Sequence, residues 1–325
     1  MMNDELFCIF AGKNMKKGIF ITLAIILGVF AVATIGGSFY MLSYSLAPDE
    51  QRTDTAACFR HLVEDHPEVK PWLDSLKACQ ALRDTFVTMP SGERHHAYFV
   101  RNGNDRRTAI VIHGWRDCAI DFFYIARIYQ QLGYNVLMPD LHAHGLSEGD
   151  AIGMGWHERM DVLHWMKVVS QLFHSDNFVI HGVSMGAATT MNVSGEPMPK
   201  GIRQVRFVED CGYTNVWDEF HYEIGEEFGL PDFPLMYTTS LLCRLRYEWS
   251  FGQNSPLEQI KKCRYPMLFI HGDRDTFVPS WMIHPLYKTK QGKKSLWITK
   301  GTKHAKSYTD YPEEYARRIR DFLNQ

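Results

Sequence analysis

The sequence predicts an α/β domain: a mostly parallel sheet with helices on both faces. Three observations lead there. Short apolar runs at 108–113, 177–181 and 267–270 have the length of strands buried on both faces. Helical stretches at 120–132, 155–173 and 184–194 alternate with them, and repeated strand–helix alternation makes a parallel sheet. With 325 residues, 45% of them hydrophobic, the chain can bury a large core.

The elements follow in order. No charged residue occurs from Gly18 to Leu46, and Ile, Leu, Val, Ala and Phe dominate 19–35. A bilayer-spanning helix needs about 20 such residues. Lys13, Lys16 and Lys17 precede the run, while Asp49 and Glu50 follow it. The positive-inside rule therefore keeps a short tail, 1–17, in the cytoplasm and exports the rest. The expectation is an uncleaved anchor at 18–46 with the catalytic domain outside the cytoplasm. The rival is a signal cleaved after Ala31-Val32-Ala33, giving a secreted domain; the apolar run continuing past that site favours the anchor. Residues 54–82 are amphipathic and broken at His66-Pro67, which predicts two short helices in a linker at 47–83.

A strand pair at 85–88 and 97–100 flanks the turn residues Pro90-Ser91-Gly92. Further strands are expected at 134–138, 205–208 and 295–298, and a closing helix at 313–323. The interval between the strands at 205–208 and 267–270 is too long for a plain crossover. It predicts a cap of two or three helices at about 213–265, inserted into a domain at 84–325.

Composition narrows the function. A formal net charge of −2 gives no basic excess for a nucleic-acid partner. Neither His-Glu-x-x-His nor Cys-x-x-Cys occurs, so no metal or other cofactor is expected. The seven cysteines are expected to be mainly buried free thiols. Cys58 and Cys79 are the one pair worth testing as a bridge.

The strongest chemical signal is Gly182-Val183-Ser184-Met185-Gly186, set between a strand and a helix rich in small residues. A sharp strand-to-helix turn strains the serine, and glycines two before and two after leave it room. A glycine-rich turn that binds nothing is the bland alternative. A serine hydroxyl needs a base to take its proton, and the chain supplies acid and base in the order this turn requires. Asp275, in the segment 271–279 after a strand, is the expected acid, with Asp273 as its rival in the same turn. His304, after the next strand, is the expected base. The oxyanion donors expected are the backbone N–H groups of Met185 and Trp115. Glu209 and Asp210 end another strand, where this topology offers a second place for the acid. Asp210, Tyr213 and Trp217 are the candidate substrate contacts.

These motifs carry a resemblance. His113-Gly114-Trp115, the run from Pro139 to Gly149, the 182–186 turn, Gly272-Asp273-Arg274-Asp275 and Lys303-His304-Ala305 resemble α/β-hydrolases of the serine aminopeptidase and monoacylglycerol-lipase-like group. Gly155-Trp156-His157-Glu158-Arg159 and Val208 to Tyr213 are similar to bacterial membrane-anchored hydrolases of unassigned substrate. The resemblance spans about 84–322 and implies the α/β-hydrolase fold. It also implies the roles already given to Ser184, Asp275, His304, Trp115 and Met185. His142 and His144 stand where that group has Arg and His in a structural turn, which implies scaffold roles.

The expected chemistry is acyl transfer to water. A carboxylesterase comes first and a peptidase or acyltransferase second, acting on a small-molecule or peptide acyl substrate. A membrane-tethered binding protein on an inactive fold is the non-enzyme alternative. Cap aromatics from Trp217 to Phe251 suit an apolar group, and the acidic stretch Asp218, Glu219, Glu223, Glu226 and Glu227 reads first as a solvated helix face, with attraction of a substrate's amine as the alternative. Oligomeric state has no signature in the sequence.

Overall fold

The computed structural model describes residues 2–325, with side chains from residue 17 onward. Most of the expected tail at 1–17, and Cys8 with it, lies outside the described side chains. The chain runs α1 (Met2–Leu46), α2 (Thr55–Asp65), α3 (Lys70–Ala78), β1 (Leu82–Thr88), β2 (Arg94–Val100), β3 (Arg107–Ile112), α4 (Phe123–Gln131) and β4 (Asn135–Pro139). It continues α5 (Glu158–Phe173), β5 (Asn177–Val183), α6 (Met185–Ser194), β6 (Gln204–Asp210), α7 (Val216–Phe228), α8 (Leu235–Tyr247) and α9 (Pro256–Ile260). β7 (Met267–Gly272), α10 (Ile283–Thr289), β8 (Lys294–Thr299), α11 (Ser307–Asp310) and α12 (Pro312–Leu323) complete it.

Eight strands form one sheet in the order β1-β2-β4-β3-β5-β6-β7-β8. β2 is antiparallel to both β1 and β4, and every other pairing is parallel. Alternate side chains enter opposite cores, as a period of two requires. Along β3, Ile110 and Ile112 join one buried cluster, while Ala109 and Val111 join the other. Both faces are covered, and all functional loops leave the sheet's carboxyl edge, where open α/β sheets bind ligands.

Three expectations need correction. Residues 47–83 are no linker: Leu62, Val69 and Leu73 are buried in the core with Phe123 and Ile125. Trp72 Nε1 also donates to Gln130 Oε1 at 3.1 Å, and Tyr308 OH to Glu68 Oε1 at 3.0 Å. The cap is shorter than 213–265. It consists of α7 and α8, while α9 returns to the body against Gly195 at the end of α6. The apolar helix does not stop at a boundary before the domain, because Leu42 and Leu46 are core residues. Among the described residues the cysteines are free, including Cys58 and Cys79.

Candidate active site

β5 delivers Ser184 to a turn that only its neighbours permit. The serine has φ 58° and ψ −122°, a conformation that costs an L residue about 1–3 kcal/mol. Its N–H donates to Asp210 O at 2.8 Å, fixing the turn to β6. A Cβ on Gly182 would lie 1.9 Å from Gly186 O, and one on Gly186 would lie 2.3 Å from Ile112 O. Both glycines are therefore required by close approach, and the chain turns directly into α6.

Ser184, His304 and Asp275 form one hydrogen-bonded line. Ser184 Oγ lies 2.8 Å from His304 Nε2, and His304 Nδ1 lies 2.8 Å from Asp275 Oδ2. With a neutral imidazole, Nδ1–H donates to the carboxylate and Nε2 accepts from the serine hydroxyl, a tautomer assigned from its partners. Asp275 Oδ1 accepts from the N–H groups of Phe277 and Val278, both at 3.0 Å. Burial alone would raise the Asp275 pKa. Hydrogen bonds from His271 and His304, with their charge, outweigh burial and hold the carboxyl below its usual value. Asp273 is exposed and accepts from Gly301 N–H at 2.6 Å, tying its turn to the loop that carries His304.

The expected oxyanion donors stand at the same place. Met185 begins α6, whose first N–H groups have no intrahelical acceptor. The loop with Trp115 presses on the serine, since a Cβ on Gly114 would sit 3.5 Å from Ser184 Cβ. Two buried histidines shape that loop. His113 Nε2 accepts from Leu141 N–H at 2.9 Å, and His144 Nε2 accepts from Arg116 N–H at 3.2 Å. Burial lowers the pKa of both, His144 strongly, so they serve as neutral struts. His142 faces Glu93 at 3.1 Å.

One cavity reaches the serine. Its walls include Ser184, Met185, Trp115, Tyr213, Phe220 and Phe251. Tyr213 thus lines the cavity, its hydroxyl donating to Met154 O at 2.8 Å. The other two candidate contacts do not line it. The Asp210 carboxylate accepts from Tyr315 OH at 2.9 Å and Ser307 Oγ at 3.3 Å, in a buried cluster. Trp217 packs edge-on against Tyr237 within the cap, with centroids 4.9 Å apart.

Two further sets of side chains line the cavity, one weighed from the sequence and one missed. Glu219, Glu223 and Glu227 recur every four residues on one side of α7 and face the cavity. Their stretch was expected first to be a solvated face, which holds for exposed Glu226 and for Glu227, exposed although it lines the cavity. Glu219 is 3% exposed, and its Oε2 has no hydrogen-bond partner. Burial, with Glu223 nearby, raises the Glu219 pKa far above the usual range; burial and its acidic neighbours push Glu223 up to about 7. Their four-residue spacing puts them on a shared side of the helix, but it does not tell whether that side faces water or a cavity. The second set is Met41, Tyr44 and Ser45, from the last turns of α1. Ser45 O accepts from Trp115 Nε1 at 2.8 Å, and Tyr44 O accepts from Arg116 Nη2 at 2.8 Å. No local signal announces that contact.

The alpha/beta hydrolase family matches residues 109–318, which include Trp115, Ser184, Asp275 and His304. The chain belongs to the alpha/beta hydrolase family. Relatives extend the likeness beyond those residues. The uncharacterized protein YqkD of Bacillus subtilis (strain 168) is 30% identical over 316 residues, covering 95% of this hydrolase and 98% of YqkD. The esterase Pf2001 of Pyrococcus furiosus is 23% identical, with a TM-score of 0.61 over 75% of this chain and 92% of its own. The acylaminoacyl peptidase of Pyrococcus horikoshii is 16% identical, with a TM-score of 0.56 over 75% of this chain and 40% of its own. Those two structures share the fold. The family and its esterase neighbours support hydrolase activity.

Proposed function

We propose that this hydrolase cleaves a carboxylic ester through an acyl-enzyme on Ser184. The observation that carries the reading is the hydrogen-bonded line Ser184–His304–Asp275 opening on a cavity walled mainly by apolar side chains. Ser184 Oγ attacks the carbonyl carbon while its proton passes to His304 Nε2. The N–H groups of Met185 and Trp115 hold the oxyanion, each worth about 3 kcal/mol in comparable sites. The bond to the leaving group breaks as His304 returns the proton to the departing oxygen. Water then repeats the cycle on the acyl-enzyme, yielding the acid and free Ser184. Rapid-quench mass spectrometry during p-nitrophenyl butyrate turnover should find the butyryl group on the peptide containing Ser184. Hydrolysis that leaves no adduct and is unaffected by Ser184→Ala would contradict the mechanism.

A second reading is favoured by Glu219, Glu223 and Glu227. Carboxylates in an otherwise mainly apolar cavity suit an acyl group that carries an ammonium, as in an aminoacyl ester or a peptide. The same triad serves it, with an amine as leaving group when the bond is an amide. A panel pairing alkanoyl esters with aminoacyl esters and amides decides between the two.

The N-terminal helix is read as an uncleaved span, with the domain outside the cytoplasm. Support comes from one apolar helix of sufficient length, Lys17–Leu46, and from the lysines that precede it. Its last turns belong to the domain, so even cleavage after Ala33 would leave residues 34–46 in place. Carbonate extraction should keep the protein in membranes, and external protease should reach it in spheroplasts. A protected or fully extractable domain would contradict this topology.

A further inference from the structure

α1 meets the cap at the point where its exposed stretch ends. From Lys17 to Gly36 the helix is exposed apart from half-buried Thr34, and then it enters the domain at buried Ser38. The free stretch from Gly18 to Gly36 is about 19 residues, or about 28 Å at 1.5 Å per residue, close to the roughly 30 Å hydrocarbon layer of a bilayer. α8 crosses there. Ser38 Oγ lies 2.6 Å from Thr238 Oγ1, and a Cβ on Gly37 would sit 3.2 Å from Leu235 Cδ1. A bilayer spanned by that stretch therefore has its outer surface at α8.

The side chains of α8 suit such a surface. Its inner face, Met236, Thr239, Ser240 and Cys243, is buried. On its outer side Tyr237, Leu241 and Leu245 recur every four residues, 56%, 57% and 75% exposed. Phe233, 73% exposed, and Leu230, 44% exposed, extend the stripe into the preceding loop. A helix on a water-facing surface carries polar residues there, and apolar patches of this kind mark a partner. Exposed Arg244 and Arg246 on the same helix suit lipid phosphates.

We propose that α8 and the loop before it rest in the outer interfacial layer of the bilayer that α1 crosses, with Tyr237, Leu241 and Leu245 among the lipids. The inference rests on reading α1 as a membrane span. The partner is a lipid surface because the stripe runs beside α1, among the described residues the one helix long and apolar enough to enter a bilayer. The domain then stands on the membrane by two elements, with no flexible stalk between them. The cavity, walled by Met41 and Tyr44 of α1 and by Met236 of α8, lies next to the lipid layer.

The test uses the full chain in phosphatidylcholine–phosphatidylglycerol vesicles, with an environment-sensitive fluorescent amino acid replacing one residue at a time. Leu241 and Leu245 probe the stripe, and Val29, 64% exposed, probes the span. Leu172, 59% exposed, lies at the end of α5 that leads into β5, at the sheet edge opposite the cavity, and serves as reference. Probes at 241 and 245 should shift to the blue and lose most of their emission to lipids with a nitroxide near the headgroup, while the probe at 172 keeps its emission. Stripe probes that behave like the one at 172, with the Val29 probe quenched by a deep nitroxide, overturn the docking and leave the span standing. An unquenched Val29 probe removes the span reading and the docking together. A blue shift at 241 and 245 without nitroxide quenching assigns the stripe to a second copy of the chain and also overturns the proposal.

Discussion

At the residue scale, Glu219 and Glu223 are the side chains whose chemistry the triad leaves unused. Buried carboxyls without cations are raised in pKa, and a bound ammonium would reverse that shift. If the cavity takes an aminoacyl group, Glu223→Gln should lower kcat/KM for an aminoacyl ester about tenfold or more, a loss of at least about 1.4 kcal/mol. The matching alkanoyl ester should change by less than about twofold. Equal effects on both esters would leave the alkanoyl reading alone. That Ser184, His304 and Asp275 come together was legible, because the turn around Ser184 sets the order of acid and base along the chain. Which way Glu219 and Glu223 face stayed open, since a charged run at helical spacing reads the same whether its helix faces water or a cavity.

Elements make the serine possible. Gly182→Ala would drive a methyl group to 1.9 Å from Gly186 O, so it should destabilise by about 3 kcal/mol or more, or prevent folding. Urea unfolding measures this, and a loss under 1 kcal/mol would mean that the turn is looser than described. Asp210, at the end of β6, makes a second prediction. Burial raises its pKa from 3.8 to about 6, against the opposing bonds from Tyr315 and Ser307. The folded state thus keeps this proton to higher pH than the unfolded chain. The stability contributed is fully present below about pH 4 and is lost as pH rises through about 6, an effect of about 3 kcal/mol. Asp210→Asn should flatten that part of the stability–pH curve, and an unchanged slope would contradict the assignment. The strands were legible from their short apolar runs, and the antiparallel β1–β2 pair from its turn. The integration of α2 and α3 was not, because the packing of Phe59 edge-on against distant Phe123 leaves no local trace.

For the whole molecule, the N-terminal helix is both a candidate membrane span and a piece of the domain. Leu46 is fully buried and its carbonyl accepts from Ile152 N–H at 2.8 Å. Leu46→Ala should therefore cost about 2–5 kcal/mol of domain stability, measured by urea unfolding in detergent. A cost near zero would return the helix to the role of a loose tether. Sequence showed the apolar length of this segment, but not where its last turns dock, since the contacts of Ser45 with Trp115 span 70 residues. The central claim is that Ser184 is an activated nucleophile, and a fluorophosphonate probe tests it most directly. The full-length protein should be labelled at one residue, with labelling abolished in Ser184→Ala and slowed at least about a thousandfold in His304→Ala. Absence of labelling in the wild type, or equal labelling of Ser184→Ala, would contradict the account.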